Sequence, residues 1–238
     1  MTGNVFITGI SSGLGLGLTR TCLDKDWSVY GLSRRESPLE HTGLRHVSCD
    51  LGDAVGLAGR LETLLGGLDK LDLVILNAGV LGEIRDLTDT SMASIQHVMD
   101  INVWANKRIL DWLHRAGLTV DQIVLISSGA AVNGNKGWGA YSLSKATLNM
   151  LAKLYAHEFP DTHFCALALG LVDTAMQDYL CDERQVDGAR YPSVEKLRDA
   201  RGTASMPTPE LAARHIADAI PNLKRYPSGS FQDIRTFA

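Results

Sequence analysis

Short apolar runs alternate with longer segments of helical periodicity along the whole chain. The runs predict strands at residues 4–8, 28–32, 44–49, 73–77, 122–127, 163–169 and 230–234, and helical segments include 15–25, 91–114, 141–159 and 209–220. Several runs are apolar throughout, as expected when helices cover both faces of a sheet. The alternation therefore predicts an α/β fold with a doubly wound parallel sheet, whose ligand lies at the carboxyl ends of the strands.

A glycine-rich turn follows the first predicted strand directly and opens the first helix. It reads Thr8-Gly9-Ile10-Ser11-Ser12-Gly13-Leu14-Gly15. Glycine allows a positive φ and a close backbone approach to a ligand, and the N–H groups and dipole of a helix N-terminus favour a pyrophosphate. The TGxxxGxG spacing differs from GxGxxG, and it lacks the Gly-Lys-Ser/Thr of a Walker A loop. We predict that this turn binds a dinucleotide.

The residues after the second strand indicate which dinucleotide is bound. A site for NAD usually has an acidic residue here, on the ribose hydroxyls. This chain has Ser33-Arg34-Arg35 instead. A guanidinium binds a 2′-phosphate that a carboxylate would repel, so we predict NADP. The alternative is a solvated pair of charges.

A serine, a tyrosine and a lysine form the predicted catalytic group. Ser128 ends the fifth strand, and Tyr141 and Lys145 lie four residues apart at the start of the next helix. That spacing puts the two side chains on one helix face. Tyrosine and lysine at this spacing are common by chance, but here they share a sheet edge with the glycine-rich turn.

Reduction of a ketone requires a hydride and a proton, and these residue types suit the proton transfer. A free phenol has a pKa of about 10. An ammonium about 5 Å away favours the phenolate by about 3 kcal/mol at an effective dielectric of about 20. Ser128 can donate a hydrogen bond to the substrate carbonyl, while the cofactor supplies the hydride.

With these motifs in order, the chain resembles the short-chain dehydrogenase/reductases over almost its whole length. The resemblance implies a single-domain Rossmann-type fold over residues 1–238, Asn102 as a fourth catalytic residue that holds a water near the lysine, and a contact to the adenine ring after strand three. The further cofactor contacts that it implies are Asp50, Leu51, Asn77, Ala78, Gly79, Gly170, Val172 and Thr174. The family usually has Pro-Gly after the sixth strand, whereas this chain has Leu169-Gly170. Without proline to fix φ, that turn is less stiff.

The second half of the chain is similar to the sepiapterin reductase and benzil reductase group. This implies a vicinal dicarbonyl substrate, either a pterin side chain or an aromatic diketone. The predicted substrate contacts are Ser128, Ala130, Trp138, Tyr141, Met176, Tyr179 and Asp233. In sepiapterin reductases an aspartate at the position of Asp233 anchors the pterin. The alternative is that Asp233 caps a turn or pairs locally.

Residues 172–207 are the least patterned part of the chain and follow the predicted nicotinamide contacts. Long irregular segments in compact domains are often lids or binding loops. We predict that this segment covers the substrate as a loop.

Composition and charge exclude several classes of protein. The formal net charge of −4 argues against a nucleic-acid surface, no apolar stretch is long enough to span a bilayer, and the histidines and four cysteines lack metal-ligand spacing. We expect buried, unpaired cysteines and a cytoplasmic protein. The family resemblance implies a homodimer, or a tetramer, that pairs the segments 91–114 and 141–159.

Three alternatives to an NADP-dependent carbonyl reductase remain at this stage. A non-catalytic NADP-binding regulatory protein would usually lack the tyrosine or the lysine. An NAD-linked alcohol dehydrogenase is disfavoured by Arg34. An epimerase or dehydratase of the longer branch uses a different glycine spacing.

Overall fold

The computed structural model describes residues 3–237. The strands are β1 (Asn4–Thr8), β2 (Ser28–Ser33), β3 (Leu44–Ser48), β4 (Lys70–Leu71), β5 (Leu73–Leu76), β6 (Thr119–Val120), β7 (Gln122–Ile126), β8 (His163–Ala168) and β9 (Ser230–Asp233). The α-helices are α1 (Gly13–Leu23), α2 (Leu57–Leu65), α3 (Met92–Met99), α4 (Ala105–Arg115), α5 (Ala130–Asn133), α6 (Gly139–Glu158), α7 (Ala175–Cys181), α8 (Pro192–Ala200) and α9 (Pro209–Ala219).

Seven strands form one parallel sheet in the order β3-β2-β1-β5-β7-β8-β9. They are the seven strands that the sequence predicts, with ends that differ by at most one residue. The chain winds outward from β1 in both directions, so a crevice opens between the carboxyl ends of β1 and β5. The short strands β4 and β6 pair separately.

The central strands of the sheet are buried on both faces, which explains why they are apolar almost throughout. On β1, Phe6 packs into one core with residues of α2, α4 and α6, whereas Val5 and Ile7 pack into a second core with residues of α1 and α9. The same alternation recurs on β5, β7 and β8. Because successive strand residues point to opposite faces, both sets must be apolar when both faces are covered.

Two predicted segments differ from the structure. The predicted helix 91–114 is divided into α3 and α4 by a π-helical turn, Asp100–Trp104. The segment 172–207, predicted as a loop, contains α7 and α8. These helices are short, α8 is rich in charged residues, and they bury Leu180 and Val194 in a third, smaller cluster instead of the main cores. Their periodicity is therefore hard to detect in the sequence.

The structure also bears on the excluded classes. Among residues 3–237, no helix combines the length and the apolar character needed to cross a bilayer, and no cluster of His, Cys, Asp or Glu side chains has the makeup of a metal site. All four cysteines are free, and Cys22, Cys49 and Cys165 are buried.

Candidate active site

A cleft of about 420 Å³ lies along the carboxyl edge of the sheet, where the sequence predicts the ligand. Its walls include most of the predicted cofactor contacts. These are Gly9, Ser11, Ser12, Gly13, Leu14, Gly15, Ser33, Arg34, Arg35, Asp50, Leu51, Asn77, Ala78, Gly79, Gly170, Val172 and Thr174. Ser128, Trp138, Tyr141, Lys145 and Met176 line the same cleft. Residues from seven separate stretches of chain thus meet in one place.

The glycine-rich turn forms one end of this cleft. Gly9 has φ +79°, and a Cβ on Gly15 would lie 2.1 Å from the Gly9 carbonyl oxygen, so the turn requires glycine at both positions. Ser12 at the N-cap of α1 makes no side-chain cap bond within the described residues. The first-turn N–H groups of α1 therefore face the cleft as donors for an anion.

The turn after β2 presents two exposed guanidinium groups beside the glycine-rich turn. Ser33 Oγ donates to the Arg35 carbonyl oxygen at 2.7 Å, and Ser48 Oγ donates to the Arg34 carbonyl oxygen at 2.8 Å. Arg35 Nη2 donates to Ser12 Oγ at 3.0 Å. The backbone of this turn is thus fixed, and the positive charge is held next to the N-terminus of α1.

Thr8 and Asn77 join the ends of β1 and β5. The backbone N–H groups of Asn77 and Ala78 both donate to Thr8 Oγ1 at 3.0 Å. Asn77 Nδ2 donates to the Thr8 carbonyl oxygen at 3.0 Å. These bonds hold the floor of the cleft at the point where the strand order reverses.

Ser128, Tyr141 and Lys145 converge at the middle of the cleft, as predicted from their spacing. Lys145 Nζ donates to the Ile126 carbonyl oxygen at 2.7 Å and lies 5.6 Å from the centre of the Tyr141 ring. Because the lysine is buried and anchored at the end of β7, its charge is fixed beneath the phenol.

Burial shifts the pKa of both groups. Desolvation raises the pKa of the Tyr141 phenol, and the neighbouring Ser128 hydroxyl offsets part of this rise. Desolvation also lowers the pKa of Lys145 to about 8. At neutral pH the site therefore holds a protonated phenol above a mostly protonated ammonium, which is the state needed to donate a proton.

Asn102 lies in the π-helical turn, behind the cleft wall. Its Oδ1 accepts from the Val80 N–H at 2.8 Å, and its Nδ2 donates to the Val80 carbonyl oxygen at 2.8 Å and to Ser144 Oγ at 3.0 Å. Ser144 Oγ in turn donates to the Tyr141 carbonyl oxygen at 2.7 Å. The Asn102 side chain thus joins the strand-end loop after β5 to the helix of the tyrosine.

Four other predicted residues do not line the cleft. Ile10 is packed in the core between α1 and the sheet, and Ala130 begins α5. The Tyr179 hydroxyl accepts from the Ile84 N–H at 3.3 Å. Asp233 caps the turn Ile234–Thr236 and is paired with Arg235.

Several lining residues escaped the sequence analysis. They are Leu32, Cys49, Val80, Ile101, Ile126, Ser127, Leu169, Leu171, Ala175, Gln177 and Leu197. Most flank a motif that the sequence does reveal, as Val80 follows Asn77-Ala78-Gly79. Leu197 comes from α8, and no local signal connects it with the strand ends.

The segment 172–207 contacts the far side of the cleft. Trp138 Nε1 donates to Ser193 Oγ of α8 at 2.8 Å, and Arg190 Nη2 donates to Asp86 Oδ2 at 2.8 Å. Leu180, Val194 and Leu197 pack with Leu81 and Ile84. We propose that residues 172–207 cover the substrate, and we call them the lid segment from here on.

The fold is that of the doubly wound α/β proteins, which bind their ligands in a crevice at this edge of the sheet. Residues 3–185 match the family model of the short chain dehydrogenases. Benzil reductase of Bacillus subtilis is 28% identical over 97% of this chain and 98% of its own, and sepiapterin reductase of Bos taurus is 31% identical over 81% and 80%. A solved short-chain dehydrogenase/reductase of Saccharomyces cerevisiae superimposes with a TM-score of 0.85 at 24% identity, covering 98% of this chain and 96% of its own.

The chain therefore belongs to the short-chain dehydrogenase/reductase family and is an oxidoreductase of that family. Enzymes of this family use a nicotinamide cofactor.

Proposed function

We propose that this protein is an NADPH-dependent carbonyl reductase that acts on vicinal dicarbonyl compounds carrying aromatic or similar apolar rings. One observation carries the proposal: the glycine-rich turn, the guanidinium groups of Arg34 and Arg35, and the Ser128–Tyr141–Lys145 group line a single cleft. Similarity to benzil and sepiapterin reductases supports reduction of a carbonyl group.

The residues present fit NADPH. The first-turn N–H groups of α1 suit the pyrophosphate, and Arg34 and Arg35 suit a 2′-phosphate, which a guanidinium binds through two parallel hydrogen bonds. Asp50 and Leu51 would lie beside the adenine ring, and Gly170, Val172 and Thr174 beside the nicotinamide. When bound, NADPH supplies the hydride.

In the proposed mechanism, Ser128 donates a hydrogen bond to the substrate carbonyl and orients it. Tyr141 gives its phenolic proton to the carbonyl oxygen as negative charge develops there. The Lys145 ammonium, held by the Ile126 carbonyl oxygen, stabilises the phenolate that remains. Since burial keeps the phenol protonated at neutral pH, the free site is set for reduction.

The proposed substrate class follows from the apolar side chains beside the phenol. Trp138, whose ring centre is 6.0 Å from that of Tyr141, and Met176 line the cleft near the phenol. Such walls bind rings through buried apolar area. Small polar sugars offer little such area.

NADPH oxidation against a panel of 1,2-dicarbonyls tests this proposal. The panel should include benzil, a small aliphatic diketone and an aldose. We expect the highest kcat/KM with benzil-like compounds. Turnover of the aldose above all diketones, or none of any dicarbonyl, would refute the substrate class.

A further inference from the structure

The turn Ile234–Thr236, which follows β9 at the carboxyl edge of the sheet, holds an ion pair. Asp233 Oδ1 accepts from the Arg235 backbone N–H at 3.0 Å and from Arg235 Nε at 2.9 Å, and Asp233 Oδ2 accepts from Arg235 Nη2 at 2.5 Å. Both carboxylate oxygens thus face a planar fork of donors from the same turn.

The pair lies next to the cleft, although it does not line it. Asp233 ends β9 opposite Ala168 of β8, and the residues that follow β8 form the cleft wall. The Arg235 Cδ lies 3.0 Å from where a Cβ on Gly170 would stand, and its Nη2 lies 3.9 Å from that position on Gly129. The arginine therefore lies against two turns. One contains Gly129, next to Ser128, and the other contains Gly170, a proposed nicotinamide contact.

The geometry of the pair mimics one mode of ligand recognition. A carboxylate binds a cyclic amidine edge, in which an amino group and a ring N–H point the same way, through the two parallel bonds it uses for a guanidinium. Asp233 is mostly buried, with 18% of its side chain exposed, whereas the Arg235 side chain is 62% exposed. The acid is the fixed partner, and the arginine occupies the position that such a ligand edge would take.

We propose that Arg235 is a specificity-determining residue, which occupies Asp233 and so disfavours ring substrates with an amidine edge, such as pterins, relative to diketones without N–H donors. The inference rests on the proposed function, since it assigns the substrate class of the same site. A pterin must displace Arg235 before it can pair with Asp233, whereas an aromatic diketone needs no contact there.

The test compares pterin binding by wild type, Arg235→Met, Arg235→Lys, Asp233→Asn and the double variant Arg235→Met/Asp233→Asn. Calorimetric titration with sepiapterin in the presence of NADP⁺ measures Kd without requiring turnover. Arg235→Met should lower the Kd by roughly fivefold, the effect expected for an ion pair with one exposed partner. Arg235→Lys should lower it less, and the double variant should lose the gain. Arg225→Met, at another exposed arginine near the C-terminus, serves as the matched control.

The outcomes separate this inference from the proposed function. An unchanged Kd in a folded Arg235→Met variant would overturn the role of Arg235. So would a higher Kd in Asp233→Asn than in wild type, because Asp233 would then already bind the pterin. Benzil turnover by wild type tests the proposed function independently. If wild type did not reduce benzil but Arg235→Met still lowered the Kd for the pterin, the role of Arg235 would stand and the diketone assignment would be wrong.

Discussion

At the scale of single residues, the proposed mechanism assigns Lys145 the charge that proton donation by Tyr141 requires. Its ammonium is buried, it donates to the Ile126 carbonyl oxygen, and its pKa is lowered to about 8. In the proposed mechanism the ammonium present below this pH stabilises the developing phenolate, whereas the neutral amine present above it does not.

The carbonyl reduction rate should therefore fall as the pH rises through about 8. The sign follows from the protonated form being the active one for both Lys145 and Tyr141, whose phenol is kept protonated by burial. The measurement is kcat/KM against pH. Lys145→Arg, which keeps its charge at alkaline pH, should lack this fall even if it is slower. A wild-type rate that increases above this pH would contradict the assignment.

Cofactor preference is a second property that we propose single residues determine. Arg34→Asp replaces a proposed phosphate partner with a like charge, so KM for NADPH should rise by about 10- to 100-fold, the value of one or two charge-assisted hydrogen bonds. KM for NADH in the same variant serves as the control and should change little. Equal kcat/KM for the two cofactors in wild type would exclude the phosphate role of Arg34 and Arg35.

At the scale of elements, the lid segment is attached to the catalytic side of the cleft by few polar contacts. The hydrogen bond from Trp138 Nε1 to Ser193 Oγ directly joins α8 to the aromatic wall. Gly137 has φ +90°, and a Cβ placed on it would lie 2.6 Å from Tyr191 Cδ1. The turn before Trp138 therefore packs closely against the lid segment. The orientation of the indole is thus set in part by the lid.

Ser193→Ala should raise KM for an aromatic diketone by about fivefold, the value of one neutral hydrogen bond, and leave kcat nearly unchanged. The indole would lose its partner while the proton-transfer groups stay in place. Steady-state kinetics measures KM and kcat separately. Ser205→Ala, at an exposed position in the same segment, is the matched control. An equal loss of kcat in Ser193→Ala would show that the serine acts through the catalytic group instead.

At the scale of the whole molecule, α6 presents an apolar stripe that the monomer leaves uncovered. Met150 and Leu154 are 54% and 53% exposed and lie four residues apart, on the same helix face as Leu143. Pairing of α6 with its copy about a two-fold axis would bury this stripe and brace the tyrosine helix. We therefore expect a homodimer, with a tetramer as the larger alternative.

Met150→Glu/Leu154→Glu should convert the assembly to monomers, because it places charges in the proposed contact. Light scattering at micromolar concentration measures the mass. Leu211→Glu, on α9 and 45% exposed, is the control and should leave the mass unchanged. A wild-type monomer under these conditions would rule out the pairing.

The sheet, and the placement of Tyr141 beside Lys145, could be predicted from the sequence because both depend on local patterns. Burial on two faces makes the strands apolar throughout, and four-residue spacing aligns Tyr141 with Lys145. Contacts between distant segments leave no such pattern. The bonds of Asn102 to Val80 and Ser144, and the contact of Trp138 with Ser193, depend on tertiary placement. The lid helices are too short to show their periodicity.

The most direct test of the account follows the hydride itself. Wild-type protein is incubated with benzil and NADPH deuterated at the transferable hydrogen, and the product is analysed by mass spectrometry and NMR. We predict one deuterium on the new carbinol carbon, and a loss of about 10²- to 10⁴-fold in rate for Tyr141→Phe with NADPH binding retained. Product without deuterium, or near-normal turnover by Tyr141→Phe, would contradict hydride transfer assisted by Tyr141.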